Sequence, residues 1–315
     1  MTRAAALGRG ARRAVSPNPG VGCVLATARG HVYEGATQPP GGNHAEIEAL
    51  AAAAAAHDDT SDATVWVTLE PCSHHGRTGP CADALIAAGV ARVVVALEDP
   101  DPNVAGDGLA RLRDAGVAVE VGVGGDEVRN DLIAYVTHRR LGRPFVTLKL
   151  ATTLDGRTVS DDPTTQWITG PEARADGHRL RAENDAILVG AATVRADNPR
   201  LTTRDVPGAD PMRIVLGHAP PGAAVHPCHE HGGPIADVLA TLAADGVTSL
   251  VVEGGADVAR QFHEAGLVDR YVLYVASASP EEASAAMTQR WGVEVFDVTP
   301  IGHDVRVTLV PKPQA

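Results

Sequence analysis

The residues with the most chemical reach are His44-Ala45-Glu46, Pro71-Cys72 and Cys81. A hydrolytic zinc site needs three protein ligands and one open position, where a bound water ionises near neutral pH. It also needs a carboxylate that leaves the metal alone and moves protons. A His-x-Glu at a helix start and a Pro-Cys at another supply that set, as in zinc deaminases. The expected ligands are one His44 nitrogen and the thiolates of Cys72 and Cys81, with Glu46 as catalytic general acid and base. Thr78 is placed to cap a helix with Pro80 in its first turn. That would set Cys81 at the positive end of the helix dipole and favour its thiolate. Two blander readings stand beside this one. Asn43 and Glu46 fit a capping box, and His74 or His75 could close a structural site with a fourth ligand.

Eight residues, Ser73 to Pro80, separate the two thiols. They bring two imidazoles, the Arg77 cation and two hydroxyls beside the metal, a set suited to a polar or phosphorylated substrate. In the second half, Val252-Glu253-Gly254-Gly255 lies between an apolar run and a helical one. Such a turn can cradle a phosphate on backbone N–H groups, or simply connect a strand to a helix. Lys149 sits in an apolar strand, where an unpaired charge is costly, which favours a cleft-facing role over a plain strand-edge lysine. Arg181 and Arg204 are phosphate candidates or solvated arginines, and Trp167 could pack a ring or fill core.

The elements that must position these groups alternate along the chain. Gly20–Thr27 and His31–Gly35 read as a hairpin turning at Arg29-Gly30. A helix over His44–Ala56 follows, then strand Thr64–Leu69, helix Cys81–Ala88, strand Ala91–Ala96, helix Leu109–Asp114 and strand Ala118–Val123. That order implies a largely parallel sheet with covering helices. A boundary falls in Leu141-Gly142-Arg143-Pro144. Beyond it, strands are expected at Phe145–Leu150, Ala186–Val189, Arg213–Leu216, Ser249–Val252, Arg270–Val275 and Asp304–Val310. Helices are expected at Pro171–Ala182, Pro234–Ala244 and Asp257–Ala265. The chain therefore reads as two α/β domains, residues 1–142 and 143–315.

Composition narrows the partners. The 315 residues carry a formal net charge of −12, which disfavours gripping polynucleotide phosphates and favours a small substrate. No apolar run approaches the roughly 20 residues needed to span a bilayer. The Arg- and Ala-rich start, Met1 to Ala14, lacks an apolar stretch with a cleavage site and reads as a short first helix. Four cysteines in this length do not make a disulfide framework, so a cytoplasmic location is expected.

Longer matches make the reading specific. Ser16-Pro17-Asn18-Pro19-Gly20-Val21-Gly22, His44-Ala45-Glu46 and the run from Thr68 to Cys81 resemble the bifunctional deaminase/reductases of riboflavin biosynthesis. So do Asp99 to Gly106, Leu148-Lys149-Leu150, Leu154-Asp155-Gly156-Arg157, Gln166-Trp167-Ile168-Thr169, Ala192 to Pro199 and Val252-Glu253-Gly254-Gly255. The resemblance implies a cytidine-deaminase-like three-layer domain followed by a dihydrofolate-reductase-like α/β domain. The first would hydrolyse an amino group from 2,5-diamino-6-ribosylamino-4(3H)-pyrimidinone 5′-phosphate. The second would use NADPH to reduce the ribosyl group to ribityl. It further implies substrate contacts at Asn18, His74 and Arg77 in the first domain. In the second they would be Lys149, Thr165, Arg181, Leu201, Arg204 and Glu253. Ala151, Trp167, Thr193, Asp197, Gly255, Ala256 and Asp257 would contact NADPH, and a homodimer is expected. The chain departs from the family pattern at Thr37 (usually His) and Asn43 (usually Pro). It departs again at the His-, Pro- and Gly-rich segment 217–234 and at Ala276-Ser277-Ala278-Ser279-Pro280. The last two leave open a second domain that only binds or dimerises.

Overall fold

A computed structural model describes residues 1–74, 79–101, 104–158 and 167–312. The chain divides into two compact units, Met1–Arg143 and Pro144–Ala315.

The first unit runs α1 (Thr2–Val15), β1 (Gly22–Ala26), β2 (Val32–Ala36), α2 (Ala45–Ala55), β3 (Thr64–Leu69), α3 (Cys81–Ala87), β4 (Arg92–Leu97), α4 (Asp107–Asp114), β5 (Ala118–Val121), α5 (Gly125–Asp131) and α6 (Ile133–Leu141). Its five strands lie in the order β2-β1-β3-β4-β5. β1 pairs antiparallel with both β2 and β3, while β3, β4 and β5 run parallel. The expected hairpin is β1–β2 and the expected parallel run is β3-β4-β5, while the antiparallel pairing of β1 with β3 makes the sheet mixed. The hairpin is local: the Arg29-Gly30 turn reverses the chain too tightly for a helical crossover, and Gly30 takes the left-handed φ of +85° that such a turn uses.

Two glycines bring helices close enough to shape the site. A Cβ on Gly22 would overlap the Ala4 carbonyl of α1, and one on Gly35 would overlap the Ala45 carbonyl of α2. Gly22 pairs with Ala36 and Gly35 with Cys23, so the two glycines look out from opposite faces. α1 and α2 therefore cover opposite faces of the sheet, a helix–sheet–helix arrangement. Bringing Ala45 down onto β2 sets the position of its neighbours His44 and Glu46. The core between the layers is almost wholly aliphatic, built from Leu25, Val65, Val67, Leu85, Val93, Val95 and Leu112.

The second unit contains β6 (Phe145–Thr152), α7 (Pro171–Glu183), β7 (Ala186–Gly190), α8 (Ala191–Asp197), β8 (Met212–Leu216), β9 (His229–His231), α9 (Ile235–Ala244), β10 (Ser249–Val252), α10 (Ala256–Glu264), β11 (Arg270–Val275), α11 (Pro280–Trp291), β12 (Glu294–Ile301) and β13 (Asp304–Val310). The strand order is β12-β13-β11-β6-β10-β7-β8-β9, parallel from β11 through β9, with β13 antiparallel to β11 and to β12. The central strands are buried on both faces and so read as unbroken apolar runs. One face packs Leu148, Leu188, Leu250 and Leu273 on Leu239, Phe262 and Met287 of the helices. The other packs Ile187, Val189 and Val251 near Val194, and Val272 and Tyr274 near Ala173.

The two segments that depart from the family pattern are both structured. Residues 217–234 contain the edge strand β9, paired with β8. Ser277 has φ +48°, and Ser279 then opens α11 through a capping box with Glu282, with Pro280 in the first turn.

Candidate active sites

In the first unit, α2 begins with His44 as its N-cap residue, and His44 makes no side-chain cap. Asn43 instead donates to Glu48 Oε1 at 2.8 Å. The capping-box reading of Asn43 and Glu46 is therefore overturned, and Glu46 is left to face inward, 4% exposed. His44 Nδ1 lies 3.6 Å from Cys72 Sγ and 3.3 Å from Cys81 Sγ, and the three ligand atoms all fall within 4.8 Å of one another. A tetrahedral zinc with ordinary Zn–N and Zn–S bonds would space such atoms by roughly 3.6–3.8 Å. The donor set and its spacing fit zinc. His74 is not in this group and lines the cavity beside it, so it does not serve as a fourth ligand. His75, Arg77 and Thr78 lie outside the described residues.

The electrostatics differ in one respect from expectation. Pro80 is the N-cap of α3, not a first-turn residue, and the Cys81 backbone N–H donates to Cys72 Sγ at 3.3 Å. The helix start thus acts on the neighbouring sulfur. The Cys81 side chain, opposed by burial and helped by His44, holds the Cys72 thiol down at about 4. Cys81, which shares its proton with Cys72 and is buried, is pushed up. A bound divalent cation would take both as thiolates. Burial likewise raises the Glu46 carboxyl to about 7.

Two residues that sequence reasoning passed over organise this site. Glu70, 5% exposed, accepts four backbone N–H groups: Asp99 and Gly106 on Oε2, Gly108 and Leu109 on Oε1, at 2.9–3.2 Å. It ties the strand end carrying Pro71-Cys72 to the start of α4 and to the loop at Asp99. Gly108 allows that contact, because a Cβ there would overlap the Pro71 carbonyl. The signal available was a glutamate directly before Pro-Cys, facing Gly-Asp-Gly at 106–108. His44, Cys72, Glu46, Asn18, Thr37 and His74 border one cavity of about 520 Å³.

In the second unit the charged residues gather at the carboxyl ends of adjacent parallel strands, where ligands bind in open α/β sheets. Arg181 grips Glu253 with both arms, Nε to Oε1 at 2.7 Å and Nη2 to Oε2 at 2.8 Å, and Lys149 Nζ approaches Oε2 at 3.5 Å. Burial would push the Glu253 carboxyl up, but the Lys149 and Arg181 charges outweigh it and hold it at about 2. Arg181 also donates to the Thr202 carbonyl at 3.1 Å. Beyond β10, Gly255 is the N-cap of α10 and its N–H donates to Thr193 Oγ1 at 3.2 Å. Thr193 belongs to α8, so two helix starts face one glycine turn. Another cavity, about 370 Å³, begins at Ala256 and Thr152 and runs between α10 and α11.

The chain carries two sequence signatures that correspond to these sites. Residues 1–97 match the cytidine and deoxycytidylate deaminase zinc-binding region, and residues 144–225 with 234–279 match the RibD C-terminal domain. The riboflavin biosynthesis protein RibD of Escherichia coli is 38% identical over 88% of this chain and 86% of its own length. That of Corynebacterium ammoniagenes is 44% identical over 84% and 81%. The chain belongs to the RibD family. Among solved structures, Acinetobacter baumannii RibD superposes with a TM-score of 0.87 at 33% identity, covering 99% of this chain and 98% of that one. The Thermotoga maritima diaminohydroxyphosphoribosylaminopyrimidine deaminase/5-amino-6-(5-phosphoribosylamino)uracil reductase gives 0.86 at 30% identity, covering 99% and 97%. The fold is accordingly α/β in both units, cytidine-deaminase-like and then dihydrofolate-reductase-like.

The residues implied by the RibD pattern fare unequally. Asn18 and His74 line the first cavity. Thr37, where the family usually has His, spends its hydroxyl as acceptor for the Val21 N–H at 3.1 Å. Lys149, Arg181 and Glu253 come together, but as one ion cluster. Leu201 is 2% exposed and packs in the core, so only its backbone could meet a ligand. Arg204 is exposed and approaches Thr202 Oγ1 at 3.5 Å. Thr165 lies outside the described residues. Of the cofactor set, Ala151, Thr193, Gly255 and Ala256 lie at the strand ends and helix starts just described. Trp167 is 48% exposed with the Arg174 guanidinium 5.1 Å from its ring centre. Asp197 ends α8, and the Asp257 side chain is exposed 3.8 Å from Arg260.

Proposed function

We propose that the two units catalyse consecutive steps of riboflavin biosynthesis: deamination of the diaminopyrimidine ribosyl phosphate, then reduction of its ribosyl group to ribityl. The observation that carries the first step is the three-ligand cluster with a buried, non-ligating Glu46 beside it. Zinc held by His44, Cys72 and Cys81 would supply the Lewis acidity that ionises a water near neutral pH. Glu46 takes the proton that water gives up and passes it to the ring nitrogen as the oxygen adds to the amino-bearing carbon. The same carboxylate then takes the proton of the newly added hydroxyl and delivers it to the exocyclic nitrogen, and ammonia leaves as the carbonyl forms. A carboxyl titrating near neutrality suits both directions of transfer. Asn18 and His74, which line the cavity, would hold the pyrimidine against this pair, and Arg77 is assigned to the same substrate on its sequence position.

In the second unit the turn at Gly254-Gly255, the start of α10 and Thr193 suit an anionic cofactor, since the first backbone N–H groups of a helix can receive a phosphate. NADPH bound there would supply the hydride. Ala151, Trp167, Asp197, Ala256 and Asp257 are the remaining contacts we assign to it. Lys149, Arg181, Glu253, Arg204, Thr165 and the Leu201 backbone are assigned to the phosphoribosyl substrate. The Lys149–Glu253 pair presents an ammonium at the strand ends, where the sugar carbon must be positioned.

We place the enzyme in the cytoplasm, a reading supported by four unpaired cysteines. No described helix is long and apolar enough to cross a membrane. A two-fold homodimer is the assembly we assign, on the general prevalence of such dimers, and light scattering tests it. The functional test is Glu46→Ala. It should retain one zinc per chain and release ammonia at least about a hundredfold more slowly, the usual scale for losing a general acid/base. Undiminished ammonia release would sink the mechanism.

A further inference from the structure

The deaminase cavity does not end at the metal ligands. Its far wall is α6, from which Tyr135 and, one turn later, Arg139 line the same 520 Å³ space. That volume suits a whole nucleotide-sized ligand. A pyrimidine ring at Glu46 leaves the remainder of the cavity for the sugar and its phosphate.

Arg139 is held ready for an anion. Its guanidinium carbon stands 5.3 Å from the Tyr135 ring centre, a cation–π contact that orients the fork. Tyr135 is itself fixed by donating its hydroxyl towards both Asp99 oxygens, each at 3.4 Å. The Asp99 backbone N–H in turn donates to Glu70. A continuous set of contacts therefore runs from the strand end beside Cys72 to Arg139. Arg139 makes no ion pair with any described residue, although Asp99 and Asp101 border the same cavity. It is also the one lysine or arginine among the described residues lining it. A phosphate dianion entering a space bordered by two aspartates needs a cation to offset them, and arginine binds phosphate with two parallel N–H groups.

We infer that Arg139, oriented by Tyr135, is the specificity-determining residue that anchors the substrate's 5′-phosphate in the deaminase site. This rests on the functional reading above. It assigns to the last helix of the first unit a recognition role separate from the chemistry at Glu46.

The test compares ammonia release from the phosphorylated diaminopyrimidine and from its dephosphorylated counterpart, in the full-length zinc enzyme and in Arg139→Gln and Arg139→Lys. Losing a charge-assisted hydrogen-bonded contact corresponds to roughly a 10–100-fold change. Arg139→Gln should therefore raise KM for the phosphorylated substrate at least about tenfold more than for the other, with Arg139→Lys restoring part of the preference. An equal rise in both KM values would reduce Arg139 to a wall of the cavity and overturn the assignment. So would an unaltered preference. Wild-type enzyme releasing no ammonia from either compound would overturn the deaminase reading, and this assignment with it.

Discussion

Glu253 illustrates how much a single side chain can carry. Its carboxylate is 9% exposed, gripped by Arg181 and approached by Lys149. Its folded-state value of about 2 lies below the ordinary 4.5. A depressed carboxyl contributes stability that is complete above the unfolded value and is lost as pH falls through the window from about 4.5 to 2. The size is about 3 kcal/mol from the linkage relation. Glu253→Gln should flatten the acid limb of a pH–stability curve for the second unit. At pH 7 it should also cost about 3–5 kcal/mol, since two cations then share a buried site without a counter-charge. Chemical denaturation at pH 7 and pH 3 measures both, and an unchanged acid limb would mean the cluster is not formed in solution. Lys149, Arg181 and Glu253 were each legible in the sequence as candidates. Their mutual pairing was not, because Arg181 and Glu253 are 72 positions apart and nothing local joins them. Glu46 was ambiguous for the opposite reason: a capping box and a catalytic carboxylate share the same spacing, and only the geometry of Asn43 separates them.

Among the elements, strands with buried β-branched runs were legible to the residue. Thr64–Leu69, Ser249–Val252, Arg270–Val275 and Asp304–Val310 emerge with the expected bounds. What escaped were elements whose stabilisation comes from context. β9 is three residues long at a sheet edge, and β12 is a half-exposed edge strand containing Pro300, so neither shows a clean alternation. α5, α6 and α8 are short and joined without punctuating prolines. α11 should have been found, since Ser279-Pro280-Glu281-Glu282 is a capping sequence with proline in place. An element that bears on zinc without supplying a ligand is α4, which leans on Pro71 through Gly108. Gly108→Ala should push α4 away from the Cys72 turn and loosen the four N–H contacts to Glu70. Zinc affinity, followed by competition with a chromogenic chelator, should fall by at least about tenfold, the scale seen when groups that orient metal ligands are lost. Wild-type affinity in that variant would show that Glu70 and Gly108 do not position the ligands.

At the scale of the whole molecule, each unit has its own core and its own site. Removing zinc should therefore abolish ammonia release while sparing NADPH oxidation with the already deaminated pyrimidine, and zinc should restore the first activity. Loss of both on chelation would mean the second unit depends on the metal. The two-domain order was legible because each half carries its own chemical motifs. The β1–β2 hairpin was legible from its turn, but the antiparallel pairing of β1 with β3 was not, since nothing local joins those two strands. The most direct test supplies purified protein with the diaminopyrimidine ribosyl phosphate, with and without NADPH, while recording ammonia and NADPH absorbance together. Ammonia should appear in both cases, and NADPH should be consumed in step with it when present. Ammonia release with no NADPH consumption would contradict the second activity, and no ammonia at all would contradict the first.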